Sequence, residues 1–147
     1  VTNDGEVYAD GTFHGGGADF AELLPAVEAL EPGDVLVIGL DGKLARSSQP
    51  YATNVVGVYS TSPGFLGGSS DDDDQTGKVP LAVVGVVPVK ASAENGAIQP
   101  GDLLVASSTP GYAMKAEANP PVGSVIGKAL ESLGEGSAVI KMLVMIQ

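Results

Sequence analysis

Six residues of this chain occur twice. Pro32-Gly33-Asp34-Val35-Leu36-Val37 returns as Pro100-Gly101-Asp102-Leu103-Leu104-Val105, which sets the two aspartates 68 positions apart (34 to 102). The residues downstream of each copy also match. The first copy leads through Gly42-Lys43-Leu44-Ala45-Arg46 to Val55-Val56-Gly57-Val58, and the second through Gly111-Tyr112-Ala113-Met114-Lys115-Ala116 to Val125-Ile126-Gly127-Lys128. An apolar run closes each unit, Val79–Val89 in the first and Ala138–Ile146 in the second. Three ordered elements at similar spacing read as an internal duplication of a β-unit. Two copies are too few for a solenoid, so two halves sharing one core are expected.

The rest of the composition agrees. The 147 residues suffice for one domain with a useful core. A hydrophobic share of 44% against 17% charged residues excludes general disorder. With 21 glycines, 10 prolines and few aromatics, many short strands and tight turns are expected rather than a helical bundle. The fold class predicted is all-β: an internally duplicated β-barrel or sandwich preceded by a short stalk-like β segment.

Charge and composition also exclude function classes. Net charge is −11, and the seven Lys and Arg residues are scattered, so no basic face for nucleic acid or an anionic membrane is expected. Without cysteine there is no thiol nucleophile, thiolate metal site or disulfide. No apolar run reaches the ~20 residues of a membrane-spanning helix. No cofactor or metal is expected.

Along the chain, residues 1–17 read as the end of a fibre stalk and a glycine hinge, Gly15-Gly16-Gly17. Residues 18–147 read as a C-terminal β domain with units of about 31–98 and 99–147. Between hinge and first unit, residues 18–31 allow a short helix capped by Asp19, with Glu22 three residues on and Pro25 limiting it. The alternation of Phe20, Glu22 and Leu24 also fits a strand. Leu40-Asp41-Gly42-Lys43 is a hairpin signal. The Val79–Val89 strand, interrupted by Pro80, Gly85 and Pro88, is expected at an edge or bulged near its ends. The apolar C-terminal strand is expected to have both faces covered.

Several acidic residues could carry chemistry. Asp34 and Asp102 could converge as an aspartyl dyad, but neither is followed by the Thr/Ser-Gly that such dyads use. A turn role, with the carboxylate accepting from nearby backbone N–H groups, is the reading preferred. Asp71-Asp72-Asp73-Asp74 lacks calcium-loop spacing and reads as a solvated loop tip. His14, the one histidine, has nothing near it in sequence to make a triad. Asp19 and Glu22 are the candidate catalytic pair, two carboxylates beside a flexible glycine run that could assist peptide cleavage by acid–base steps.

The ordered set Gly17-Ala18-Asp19-Phe20-Ala21-Glu22, Gly33-Asp34-Val35-Leu36-Val37, Asp41-Gly42-Lys43 and Val55-Val56-Gly57-Val58-Tyr59-Ser60-Thr61-Ser62-Pro63-Gly64 resembles the intramolecular-chaperone auto-processing domains. These end phage tail-fibre and appendage proteins and fibre-like bacterial surface proteins. The resemblance covers roughly 18–147, and it implies a homotrimeric, β-rich domain that helps an upstream stalk of the same chain fold in register. It implies an extracellular, cell-surface or virion location and, in some members, self-release by autoproteolysis. Asp19 and Glu22 match the two acids of the family's Ala-Asp-Tyr-Ala-Glu motif. Phe20 replaces its Tyr, and residues 12–17 offer no Ser-Asp-type scissile site, which weighs against cleavage. A receptor- or glycan-binding fibre tip is a further alternative, with the loop 61–78 as contact and Phe65 its one ring.

Overall fold

A computed structural model describes residues 5, 8, 10–12, 14–27, 29–68 and 75–145. Asp71–Asp74 and much of the stalk-like stretch 1–14 therefore lie outside the described residues. The fold is all-β, with ten strands and no helix among the described residues. In order they are β1 (Asp19–Pro25), β2 (Val35–Ile38), β3 (Leu44–Arg46), β4 (Val55–Tyr59), β5 (Phe65–Gly67), β6 (Lys78–Ser92), β7 (Leu103–Ala106), β8 (Ala113–Lys115), β9 (Val125–Ala129) and β10 (Ser137–Val144).

The pairing pattern repeats. β2 pairs antiparallel with β3 and β4, and β7 does so with β8 and β9. The β2–β4 ladder slips between Leu36 and Val37, and the β7–β9 ladder slips at the corresponding Leu104 and Val105. A β-bulge retained at the same place in both copies marks it as part of the architecture. The glycine of each third segment has a shared cause as well. A Cβ on Gly57 would lie 2.4 Å from the Ala82 carbonyl oxygen, and one on Gly127 would lie 2.2 Å from that of Leu143. Only glycine lets the next strand come so close.

Traced round, the pairings close two five-stranded rings that share β6. The first runs β1, β6, β4, β2, β3 and is closed by a parallel bridge from Ala26 to Leu44. The second runs β6, β10, β9, β7, β8 and is closed by the equivalent parallel pair, Ala91 with Ala113. The first part of β6 pairs with β1 and β4, and the later part with β10 and β8. Closed rings leave few bare strand edges.

The core results from this sharing. The largest apolar cluster mixes Val35, Val55, Val58 and Ala82 of the first repeat with Leu104, Ile126, Ile140 and Met142 of the second, across Val87 and Val89 of β6. A smaller cluster built on Leu36, Leu44 and Leu81 belongs to the first repeat, and one on Val105, Met114 and Val125 to the second. Burying so many Val, Ile and Leu side chains, each worth about 1.5–3 kcal/mol, is what holds short three- to five-residue strands in place.

Three expectations are corrected. The described residues of 18–31 hold no helix: Asp19 begins β1, whose alternating burial follows the Phe20-Glu22-Leu24 pattern. β6 is central rather than an edge, and its irregularity lies at its middle. There Phe20 faces Val84 while Ala21 faces Ala82, so Val83 is the extra residue of a bulge. The C-terminal strand β10 is paired on both edges, by β6 and β9, but one of its faces is open, with Val139 61% exposed.

Candidate functional site

β1 enters the domain at a place where backbone packs on backbone. Gly17 lies against the Ser62–Gly64 loop so closely that a Cβ would sit 2.2 Å from the Ser62 carbonyl oxygen. The Gly64 N–H donates to the Asp19 carbonyl (2.8 Å), and the Val86 N–H reaches the Ala18 carbonyl (3.4 Å). Asp19 is thus fixed by its main chain on both sides. Two open grooves flank it. One is lined by Gly15, Gly17, Ala18, Phe20, Gly64 and Phe65, and the other includes Thr61, Ser62, Pro88 and Lys141.

The Asp19 side chain points inward and is 4% exposed. Burial pushes its carboxyl above the usual aspartate range. The nearby Ser60 hydroxyl and Asp19's own backbone amide offset this only in part. Asp19 Oδ2 and Ser60 Oγ both lack a hydrogen-bond partner within the protein. A buried carboxyl with an unpartnered oxygen and a pKa raised by burial is a recognised mark of a functional position.

Glu22 is placed differently. It is exposed on the opposite face of β1, with its carboxylate over the Gly67–Gly68 backbone, where a Cβ on Gly67 would meet Oε1 at 2.7 Å. Within one chain, Asp19 and Glu22 are not brought together. Phe20, between them, faces outward and its ring sits 5.5 Å from that of Phe65.

Asp34 and Asp102 do not form a dyad, for each carboxylate is taken up in its own turn. The Glu31 N–H donates to Asp34 Oδ2 (2.8 Å), as the Gln99 N–H does to Asp102 Oδ2 (2.8 Å). This is the turn role the sequence suggested. Sequence reasoning missed the cations. Arg46 Nε donates to Asp34 Oδ2 (2.9 Å), and Lys90 Nζ to Asp34 Oδ1 (2.8 Å) and to Glu31. Lys115 Nζ lies 3.0 Å from Asp102 Oδ2. Arg46 and Lys115 occupy matching places in the repeats, opposite Leu36 and Leu104, so the duplication itself carried that signal. His14 is exposed. Among the described residues no cluster of three or more His, Cys, Asp or Glu could hold a metal, and no helix is long and apolar enough to cross a membrane.

Solved structures share this fold. Pre-mature bacteriophage phi29 gene product 12 superposes with a TM-score of 0.72 at 16% identity, over 97% of this chain and 24% of that one. The C-terminal fragment of the same phage protein superposes with a TM-score of 0.62 at 16% identity, over 86% of this chain and the whole fragment. The chain therefore spans about a quarter of the longer neighbour, and at this identity the likeness is one of fold. No family model matches, and neither does any curated protein.

Proposed function

We propose that this chain is the C-terminal assembly domain of a fibrous appendage or surface protein: it trimerises, sets the register of a preceding stalk and caps it. The observation that carries this reading is the match to a complete C-terminal fragment of a phage protein. The site agrees with it. Gly15–Gly17 deliver the chain to β1 beside an exposed aromatic pair, so a stalk would join the domain next to an uncovered apolar face. A stalk with little hydrophobic patterning has weakly specified register, which a trimer formed by the domain would fix first. The reading places the protein on a virion or cell surface. Sedimentation at micromolar concentration tests it. A trimer is expected, and a stable monomer overturns it.

A self-processing role is the second reading, favoured by Asp19 alone. A buried carboxyl with raised pKa, beside a backbone held on both carbonyls, could act as a general acid in cleavage of the preceding segment. The solved structures of the phage neighbour are of a pre-mature protein and of a C-terminal fragment, which suits such a role. Intact-mass measurement on a longer form of the chain decides. Cleavage upstream of Ala18 that is lost in Asp19→Asn is expected under this reading, and an uncut chain ends it.

A further inference from the structure

We infer that the face formed by Phe20, Phe65, Val83 and Val84 is where a second copy of this chain docks. The inference rests on the assembly reading above and adds which surface does the assembling.

Four large apolar side chains crowd this face although none is required there by the core. Phe20 is 56% exposed, Phe65 55%, Val84 51% and Val83 40%. They form one patch by register: Phe20 faces Phe65 across the β1–β5 pairing and Val84 across the β1–β6 pairing. The bulge then sets Val83 and Val84, two consecutive residues, outward together. An ordinary strand would have turned one of them inward. The other highly exposed apolar residues are scattered: Leu40 and Val122 lie outside the strands, and Val139 stands on β10 with no exposed apolar neighbour from a paired strand. Grouped exposed aromatics and valines are characteristic of the centre of an interface.

Two observations identify the occupant as another copy. The chain reaches the domain through Gly15, Gly17 and Ala18, which line the same groove as Phe20 and Phe65. Segments 1–14 of associating copies can converge only if the copies meet near that point. Charge gives the second argument. Each copy carries −11, so copies repel over most of their surface. None of the four patch residues is charged and Asp19 beside them is buried, while the exposed Glu22 borders the patch on the same face of β1.

The absence of cysteine makes the test direct. Val84→Cys and, as the control on another exposed strand position, Val139→Cys are each oxidised at micromolar concentration. Unoxidised samples are also challenged with a bulky maleimide. A covalent dimer through Val84→Cys, and protection of that thiol in the oligomer, are expected, while Val139→Cys stays single and reactive. Phe20→Glu with Phe65→Glu should raise the dissociation concentration by about a hundredfold or more, with the β circular-dichroism signal retained. If the unmodified chain is monomeric, the assembly reading and this inference fall together. If it is an oligomer in which the Val84→Cys thiol reacts freely, or which the double substitution leaves intact, only the choice of face is overturned.

Discussion

The two repeats open with the same six-residue signature, yet their aspartates live in different surroundings. The Asp34 side chain is 1% exposed and holds two cations, Arg46 and Lys90. The Asp102 side chain is 23% exposed and holds one, Lys115. The difference comes from β6. Lys90 lies on the part of the shared strand that belongs to the second ring, and it reaches back to the first repeat's opening turn. The Val35 N–H also donates to the Gly111 carbonyl in the second repeat (2.8 Å). Duplication supplied both turns with the same backbone chemistry, and packing one repeat on the other made the first turn part of the interior.

Removing the two carboxylates gives the largest expected contrast. Asp34→Ala leaves Lys90 with only the exposed Glu31 and opens a buried site, so a loss of about 3–5 kcal/mol is expected. Asp102→Ala removes a turn acceptor and a half-exposed ion pair, with a loss of about 1 kcal/mol. Urea denaturation of both variants measures this, and equal losses would break the comparison.

The two strand glycines probe how far the equivalence extends. Gly57→Ala and Gly127→Ala each drive a methyl group into a carbonyl oxygen, at a cost of about 1–3 kcal/mol. Gly57 has φ of 147°, whereas Gly127 has no such positive φ, so the first substitution should cost more by about 1 kcal/mol. A smaller loss at Gly57 than at Gly127 would contradict the assignment of strain to the first repeat alone.

Exchanging the cations is gentler. Arg46 uses Nε on Asp34 and Nη2 on the Ala29 carbonyl (3.1 Å), a fork that lysine cannot reproduce. Arg46→Lys should cost about 0.5–1 kcal/mol. Lys115 makes a single contact at a third-exposed position, and Lys115→Arg should be close to neutral.

The range of each interaction decides how much was readable beforehand. The repeat, its hairpin at Asp41-Gly42 and the closing apolar strands were legible, because turn chemistry and period are local. β1 was ambiguous because Asp19 with Glu22 mimics a helix cap, and only pairing with β5 and β6 decides for a strand. β5 was invisible, since three residues inside a glycine-rich loop become a strand only beside Phe20. The sharing of β6 was hidden by Pro80, Gly85 and Pro88, which read as breaks although the strand changes neighbours through them. At the site, Asp19 and Glu22 stood out as two carboxylates after a glycine run and again in the resemblance, whereas their opposite faces and the unpartnered Asp19 Oδ2 depend on tertiary packing. The Lys90–Asp34 pair spans 56 positions and no local rule could find it.

Titration should separate the repeats by small effects of opposite direction. In the second repeat, burial works against ionisation of Asp102, but the Gln99 amide and Lys115 outweigh it and hold the carboxyl below its usual range. Glu94 is likewise lowered, burial being outweighed by bonds from Ser108, Thr109 and Ser92. A carboxyl lowered on folding lends stability above its unfolded pKa, near 4, and loses it as pH falls through the folded value. In the first repeat, burial pulls Lys90 down, but Asp34 and Glu31 more than offset it and raise the ammonium above its ordinary value. A raised lysine lends stability that is full below its unfolded pKa, near 10.4, and disappears as pH rises through the folded value. Asp19 in β1 adds to this division, since its raised pKa means that acid relieves a burial cost in the first repeat. Hydrogen exchange, corrected for the intrinsic pH dependence, should show amides around Asp102 and Ser108 losing protection first below about pH 4. Those around Asp34 should lose it first above about pH 10. The same pH order in both repeats would show that β6 couples them too tightly to respond apart.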